Sequence, residues 1–417
     1  MIERVVVLND VCIARGGATG LALVSIRALR ARGVAVTLIC GDNGDNAELR
    51  DLGVEIVAIG QALLLDAGPR EAFFRGVYNT RTVAVVGEWL RHNDTQGTVY
   101  HLHNWTKILS PSLFRVLHPV ASRLVLSAHD FFLVCPNGGY VIYRTGQSCQ
   151  LRPMSSACLV AACDRRSYAH KLWRVARQAV REMLFDFRRT APFVLAVHDG
   201  MRAGLQRGGV PAGSIKVLRN PVTAFRNERI PAERNREIVF VGRLHSEKGP
   251  DRAARAARRA GARLRIIGDG PMAATLRASY PDVVFDGWRS PAEIGAAIAS
   301  ARALVMPSRY PEPFGLVACE ALWSGLPVIL GDDALLAKEI VALEAGIACD
   351  VSDETALANA LRRLLDSDIE TRRMSINAFE KTRCLATTPE EWSAALIAVY
   401  ERLIAASLVD RAQPSRP

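Results

Sequence analysis

Two series of short apolar runs, each alternating with helical stretches, constrain this chain more than any other feature. In the first series the runs fall at residues 5–8, 35–40, 54–59, 99–102, 124–128, 193–197 and 215–218. They are rich in Val, Ile and Leu and too short for helices, so they read as buried strands. Apolar residues at helical spacing over 21–29, 83–91 and 167–187 supply the crossovers. A polar stretch with Pro231 follows at 222–236 and reads as a linker. The second series has runs at 238–241, 264–267, 283–285, 303–306 and 327–330, with helices over 250–260, 353–366 and 389–408. Strand-helix alternation of this kind gives parallel sheets covered on both faces. The expected fold class is α/β, with two Rossmann-like, doubly wound parallel-sheet domains facing a central cleft. Ligands of such sheets bind at the carboxyl ends of the strands. The domains are expected at 1–221 and 237–389, with a helix near 390–408 crossing back to the first. Residues 413–417 are expected to fray.

Charge separates the halves. The 417 residues carry 53 basic and 42 acidic side chains, net +11. Residues 1–220 hold 27 basic and 16 acidic groups, and residues 221–417 hold 26 of each. Arginine outnumbers lysine 47 to 6, a bias that a GC-rich genome imposes on both halves and that cannot explain the asymmetry. The excess asks for an anionic partner of the first half. Nucleic acid is disfavoured, because no basic motif is interleaved with aromatics. At 49% apolar and 23% charged residues, the chain is neither disordered nor a disulfide framework. The N-terminal residues lack the apolar core of a signal peptide, no run is long enough for a membrane span, and the cysteine count of nine is odd. A cytoplasmic protein with reduced thiols is expected.

Three segments of the second half carry candidate chemistry. In Gly242-Arg243-Leu244-His245-Ser246-Glu247-Lys248-Gly249, two cations stand between a strand and a helix start, an arrangement suited to a diphosphate. Gly268-Asp269-Gly270-Pro271 is a second strand-end turn. In Pro311-Glu312-Pro313-Phe314-Gly315-Leu316-Val317-Ala318-Cys319-Glu320, a glycine opens a helix between two carboxylates. A carboxylate accepts two hydrogen bonds from the vicinal diol of a sugar or ribose.

Together these segments resemble the donor-binding domain of the family-four retaining glycosyltransferases of the GT-B fold, the glycosyl transferases group 1, in their bacterial surface-polysaccharide branch. The resemblance implies transfer of a hexose-type sugar from a nucleotide-diphosphate sugar to a glycan or polyprenyl-diphosphate-linked acceptor, with retention of configuration. It implies that Arg243 and Lys248 face the diphosphate and that Glu312 contacts the donor sugar. It places Phe314, Gly315 and Leu316 against sugar and phosphates, with Glu320 on the ribose. Gly268 and Gly270 would line the donor site, as would Gly16 and Gly17 after the first strand. His129, at the end of the 124–128 run, would lie by the donor sugar. His103 and Asn104 are acceptor-side candidates. The resemblance implies catalysis without a required metal or other cofactor. The alternatives are a nucleotide-sugar epimerase or hydrolase of the same fold, and a non-catalytic nucleotide-sugar-binding protein.

Two local features remain. Cys135, Cys149, Cys158 and Cys163 fall within 29 residues and read either as a structural zinc site or as packed free thiols. Residues 165–219 hold 12 basic and three acidic groups. Within them Leu172, Val175, Ala179, Met183 and Phe187 recur at helical spacing. This is either a basic amphipathic helix at the inner face of an anionic membrane or a core-packed helix with a solvated basic face.

Overall fold

The computed structural model describes residues 1–14 and 16–412; the expected fraying of 413–417 lies outside the described residues. The chain packs as two units. One comprises Met1–Arg144, Cys149–Leu218 and the chain from Pro389 onward; the other is Arg219–Thr388 with Thr145–Ser148.

The first unit is built on a seven-stranded sheet of order β3-β2-β1-β4-β5-β8-β9. Its strands are β1 (Arg4–Asn9), β2 (Ala35–Cys40), β3 (Glu55–Ala58), β4 (Thr98–Leu102), β5 (Leu124–Ala128), β8 (Phe193–Ala196) and β9 (Ile215–Val217). The short strands β6 (Val141–Ile142) and β7 (Gln147–Ser148) lie outside it. All its pairings are parallel, with Val5 opposite Val36 on one side and Val99 on the other. The central strands are buried on both faces, which is why they read as unbroken apolar runs rather than alternating ones. Helix Pro389–Ala412 belongs to this unit. Trp392, Leu396, Tyr400 and Ile404 recur every fourth residue and bury one stripe in the same core as Leu23, Ile26 and Leu29.

The second unit has a six-stranded sheet of order β12-β11-β10-β13-β14-β15. Its strands are β10 (Glu237–Val241), β11 (Arg263–Ile267), β12 (Val284–Gly287), β13 (Ala301–Met306), β14 (Val328–Gly331) and β15 (Gly346–Cys349), again all parallel. Helix Pro250–Ala260 buries Ala253, Ala254, Ala256 and Ala257 against Ile238, Phe240, Leu264 and Ile266. The edge strand β15 was not anticipated: Gly-Ile-Ala-Cys offers one large aliphatic residue and no run.

Two expectations are corrected. Residues 222–236 do not behave as a free linker. Val222, Ile230 and Ala232 are buried, and Arg229 is held by Glu233 at 3.0 Å and by Ser375 Oγ at 2.7 Å. The second correction concerns helix Tyr168–Leu184, whose amphipathicity is inverted. Lys171 and Arg181 are 1% exposed and Arg177 8%, whereas Leu172 is 46% and Met183 77% exposed. The basic stripe faces the protein because arginine stems pack on aromatic rings while their heads reach carbonyls. Arg177 lies 4.7 Å from the Trp173 ring and donates to Thr106 O at 2.7 Å. Arg181 lies 4.1 Å from the Phe187 ring and donates to Phe185 O at 3.2 Å. Arg174 pairs with buried Asp164 at 3.0 Å.

Candidate active site

Each unit gathers ionisable side chains at the carboxyl ends of its strands. In the second unit β10 ends at Val241 and leads through Arg243 to the short 3-10 turn Ser246–Lys248, directly before helix Pro250–Ala260. Lys248 Nζ donates to Glu312 Oε2 at 2.8 Å, to Glu312 Oε1 at 3.0 Å and to Tyr310 OH at 2.8 Å. Glu312 also accepts from Ser308 Oγ at 2.9 Å and Tyr310 OH at 2.9 Å. Burial by itself would raise the Glu312 carboxyl; the Lys248 ammonium, helped by the two hydroxyls, overrides it and holds the group below its ordinary range. All three N–H bonds of Lys248 are therefore committed. Arg243 is not part of this cluster: it is half-exposed and faces Glu247 at 3.9 Å.

Phe314 is buried. Gly315 follows at φ 75° as the cap of helix Leu316–Trp323; a Cβ here would lie 3.0 Å from Met306 Cε in a backbone conformation that favours glycine. The first two amides of this helix, Leu316 and Val317, have no acceptor inside it, whereas Ala318 N already donates to Gly315 O at 3.0 Å. Glu320 lies one turn further on, half-buried. Its carboxylate makes no hydrogen bond or ion pair with any described residue, and burial pushes it up to about 7. The two carboxylates of the motif are thus in opposite states, one fully partnered and one not.

The glycines of the 268–271 turn have a reason other than a ligand. A Cβ on Gly268 would stand 1.9 Å from Gly242 O, because the two strand-end loops pack backbone to backbone. Gly242 N donates to Ile267 O at 3.0 Å and Leu244 N to Asp269 O at 2.8 Å. Gly270, 2.7 Å from Leu244 O by the same measure, is held in the same contact.

In the first unit, Gly16 caps and Gly17 opens helix Gly17–Ala31. Three histidines meet where β4 and β5 end. His101 is bonded through Nδ1 to Tyr400 OH at 2.6 Å and through Nε2 to Ser127 Oγ at 2.8 Å. His103 Nδ1 and His129 Nε2 are 3.0 Å apart. Burial drives all three toward the neutral form, His101 to about 3, His129 to about 4 and His103 well below its usual value. Because both rings are neutral, one donates to the other. The outer nitrogens, His103 Nε2 and His129 Nδ1, are buried and have no hydrogen-bond partner among the described residues; the pair therefore presents one donor and one acceptor whichever tautomer it adopts. Asn104 donates to Asn9 Oδ1 at 2.7 Å. His103, Asn104, Ser127, His129 and Asp130 line a small pocket, and burial raises the Asp130 carboxyl to about 6.

The four cysteines are not arranged as metal ligands. Among the described residues no group of three or more His, Cys, Asp or Glu is placed to hold a metal ion. The Lys171 ammonium instead lies 3.4 Å from Cys158 Sγ and 3.3 Å from Cys163 Sγ, and Cys135 donates to Asn137 Oδ1 at 3.2 Å. Cys149 is a half-buried free thiol whose amide bonds Tyr140 O.

Comparison with known proteins decides the family. The family model described as Glycosyl transferases group 1 matches residues 222–381, and that described as Glycosyl transferase 4-like domain matches residues 16–221. The chain belongs to the group 1 glycosyltransferases. Among relatives of this family, the glycogen synthase of Mycobacterium tuberculosis is 31% identical over 228 residues, which cover 50% of this chain and 53% of that protein. The chain spans about half the length of the curated relatives it matches. Sucrose-phosphate synthase from Thermosynechococcus elongatus superposes with a TM-score of 0.71 at 20% identity, over 97% of this chain and 100% of that one. Anabaena HepE in complex with UDP does so with a TM-score of 0.64 at 17% identity, over 96% and 100%. These likenesses show the fold, which is GT-B.

Sequence reasoning on this glycosyltransferase missed Tyr310, Ser308 and His101. Tyr310 and Ser308 stand two and four residues before Glu312, so polar residues flanking the motif were the available signal. His101 sits inside a strand, and its partner Tyr400 is 299 residues away.

Proposed function

We propose that this protein transfers a hexose-type sugar from a nucleotide-diphosphate sugar to a glycan or polyprenyl-diphosphate-linked acceptor, with retention of configuration, in bacterial polysaccharide synthesis. The observation that carries the reading is the contrast within one motif: Glu312 locked to Lys248, and Glu320 without a side-chain partner among the described residues. A carboxylate with no partner in the protein is suited to the ribose diol of a nucleotide. The UDP in the HepE structure supports a nucleotide donor.

In this mechanism the diphosphate draws Lys248 away from Tyr310 and is met by Arg243, which is half-exposed. As the bond from the anomeric carbon to the phosphate oxygen breaks, the two cations stabilise the charge growing on the diphosphate. Glu312 contacts the donor sugar, and the first amides of helix Leu316–Trp323 hold sugar or phosphate oxygens. His129 places the reacting sugar, and His103 and Asn104 contribute on the acceptor side. The acceptor hydroxyl forms the new bond to the same face of the anomeric carbon, and its proton passes to the leaving phosphate. Glu312 is a poor covalent nucleophile because an ammonium and two hydroxyls already hold its oxygens. The enzyme works at the cytoplasmic side of a membrane that carries its acceptor.

Thermal shift with UDP-, GDP- and ADP-sugars tests the donor, since a bound donor stabilises the fold by mass action. One sugar nucleotide is expected to raise the midpoint in wild type and not in Glu320→Ala. Nucleotide release from donor alone at the full rate would favour a hydrolase or epimerase. Unchanged function in vivo after Lys248→Ala would favour a non-catalytic binder. An inverted anomer in the product by NMR would remove the retaining mechanism.

A further inference from the structure

The inverted helix leaves an apolar surface on the first unit that the fold itself does not cover. Leu172 and Met183 project outward from helix Tyr168–Leu184, and Tyr168 is 43% exposed. A second helix, Pro69–Val77, packs beside it: Trp173 Nε1 donates to Phe73 O at 3.1 Å, and the Trp173 ring closes on Gly76. This second helix exposes Phe73 at 50% and Phe74 at 70%, as an edge-to-face pair 5.3 Å apart. At the other flank, Tyr168 OH bonds Leu159 O at 3.0 Å, next to Val160 at 73% exposure. The exposed residues thus form a connected strip from Val160 through Tyr168 and Leu172 to Phe73 and Phe74. Exposed arginines bracket the helix: Arg165 and Arg166 before it, Arg188 and Arg189 after it.

We propose that this strip is a docking surface for an anionic lipid bilayer. Two exposed phenylalanines and a tyrosine beside arginines match the chemistry of the membrane interface, where rings enter the acyl boundary and cations meet headgroup phosphates. The docking elements are apolar side chains, with the inward-facing basic stripe of the helix as their scaffold. A second copy is the weaker occupant. A two-fold dimer through this face would bring two rims together in which Arg165, Arg166, Arg188 and Arg189 outnumber the nearby acids Glu182 and Asp186, the latter 3.8 Å from Arg189. No helix among the described residues is long and apolar enough to cross a membrane, so the contact is at the surface. The proposal rests on the exposed face alone; it names a partner for the proposed transferase but does not depend on its chemistry.

Flotation of the full chain with vesicles tests it. Vesicles containing phosphatidylglycerol are expected to carry the protein up the gradient, and pure phosphatidylcholine vesicles to carry far less. Phe73→Ser with Phe74→Ser should weaken binding about tenfold or more, from lost apolar burial. Both side chains are exposed, so the far-ultraviolet circular dichroism should be unchanged. Leu172→Gln with Met183→Gln, on the other helix, provides an independent variant should the first misfold. Wild-type protein that stays unbound to anionic vesicles would overturn the proposal, as would phenylalanine variants that bind like wild type. A concentration-dependent dimer that the phenylalanine variants abolish would assign the strip to a second copy instead. Sugar-nucleotide thermal shifts of the same variants should equal those of wild type, so a failure of docking is read separately from a failure of the transferase reading.

Discussion

The two units bury ionisable groups at their strand ends by opposite means. In the second, Glu312 keeps its charge because Lys248, Tyr310 and Ser308 surround it. In the first, His101, His103 and His129 give up their charge, and burial holds them neutral. A paired charge is strong but brittle, since removing one partner strands the other. A neutral cluster tolerates the loss of a contact, but acid can charge it. The difference indicates which perturbation each region fears.

The largest effect is expected from breaking the pair. Lys248→Met leaves a buried carboxylate without its counter-charge, which costs about 3–5 kcal/mol. The double variant Lys248→Met, Glu312→Leu should recover much of that loss, because no charge remains to be desolvated. Urea unfolding of the two single variants and the double variant measures the coupling. Additive losses would mean that the pair is not a unit.

Acid probes the other region, with a smaller expected effect for each group. An unfolded histidine takes up its proton near pH 6.5, whereas folded His129 and His101 do so only near 4 and 3. The unfolded chain binds more protons between these values. The stability that His129 contributes is therefore intact above pH 6.5 and is lost as pH falls toward 4, by on the order of 3 kcal/mol, and His101 adds a loss of its own that continues toward pH 3. Glu312, held below its ordinary value, contributes stability that is present above about 4.5 and lost only below it. Between pH 6.5 and 4.5 the histidines change the stability and Glu312 does not; below 4.5 the Glu312 loss joins that of His101, which titrates near 3. His129→Gln should make the upper window shallower, with the remaining slope owed to His101 and His103, and leave the Glu312 loss alone.

Much of this was legible in the residues. The buried strands of both sheets read directly as apolar runs, because parallel strands covered on both faces carry little else. The glycine-opened helix between Glu312 and Glu320 was visible from spacing. What stayed hidden depends on facing and on distant partners. Periodicity shows that helix Tyr168–Leu184 has two faces, but not that Arg174, Arg177 and Arg181 turn inward. That choice follows from Asp164 and from aromatic rings and carbonyls near and far along the chain. A single strand-end loop does not reveal that Gly268 and Gly270, which the resemblance places in the donor site, also pack against the backbone of the 242–244 loop. The spacing of the four cysteines left zinc and packed free thiols both open, because it does not show that the Lys171 ammonium stands between Cys158 and Cys163.

The smallest effect on stability sharpens the comparison from inside the motif itself. Glu320 follows neither strategy: it has no cation partner among the described residues, yet it ionises near neutrality, at about 7. Its folded value lies above the unfolded one, so the sign is the reverse of that for Glu312. The stability it contributes is present below about 4.5 and is lost as pH rises through 7. Glu320→Gln should therefore stabilise the free protein by on the order of 2 kcal/mol at pH 8 and have little effect near pH 4.5. The same variant should bind the sugar nucleotide worse at pH 8, because an amide has one acceptor oxygen where the carboxylate has two. Wild-type affinity should fall as pH drops below 7 and the carboxyl is protonated, and the variant should show no such dependence. Thermal midpoints at pH 5 and pH 8, with and without donor, measure both effects. Stabilisation together with lost binding identifies a side chain kept costly for its ligand, whereas stabilisation with binding unchanged would remove Glu320 from the site.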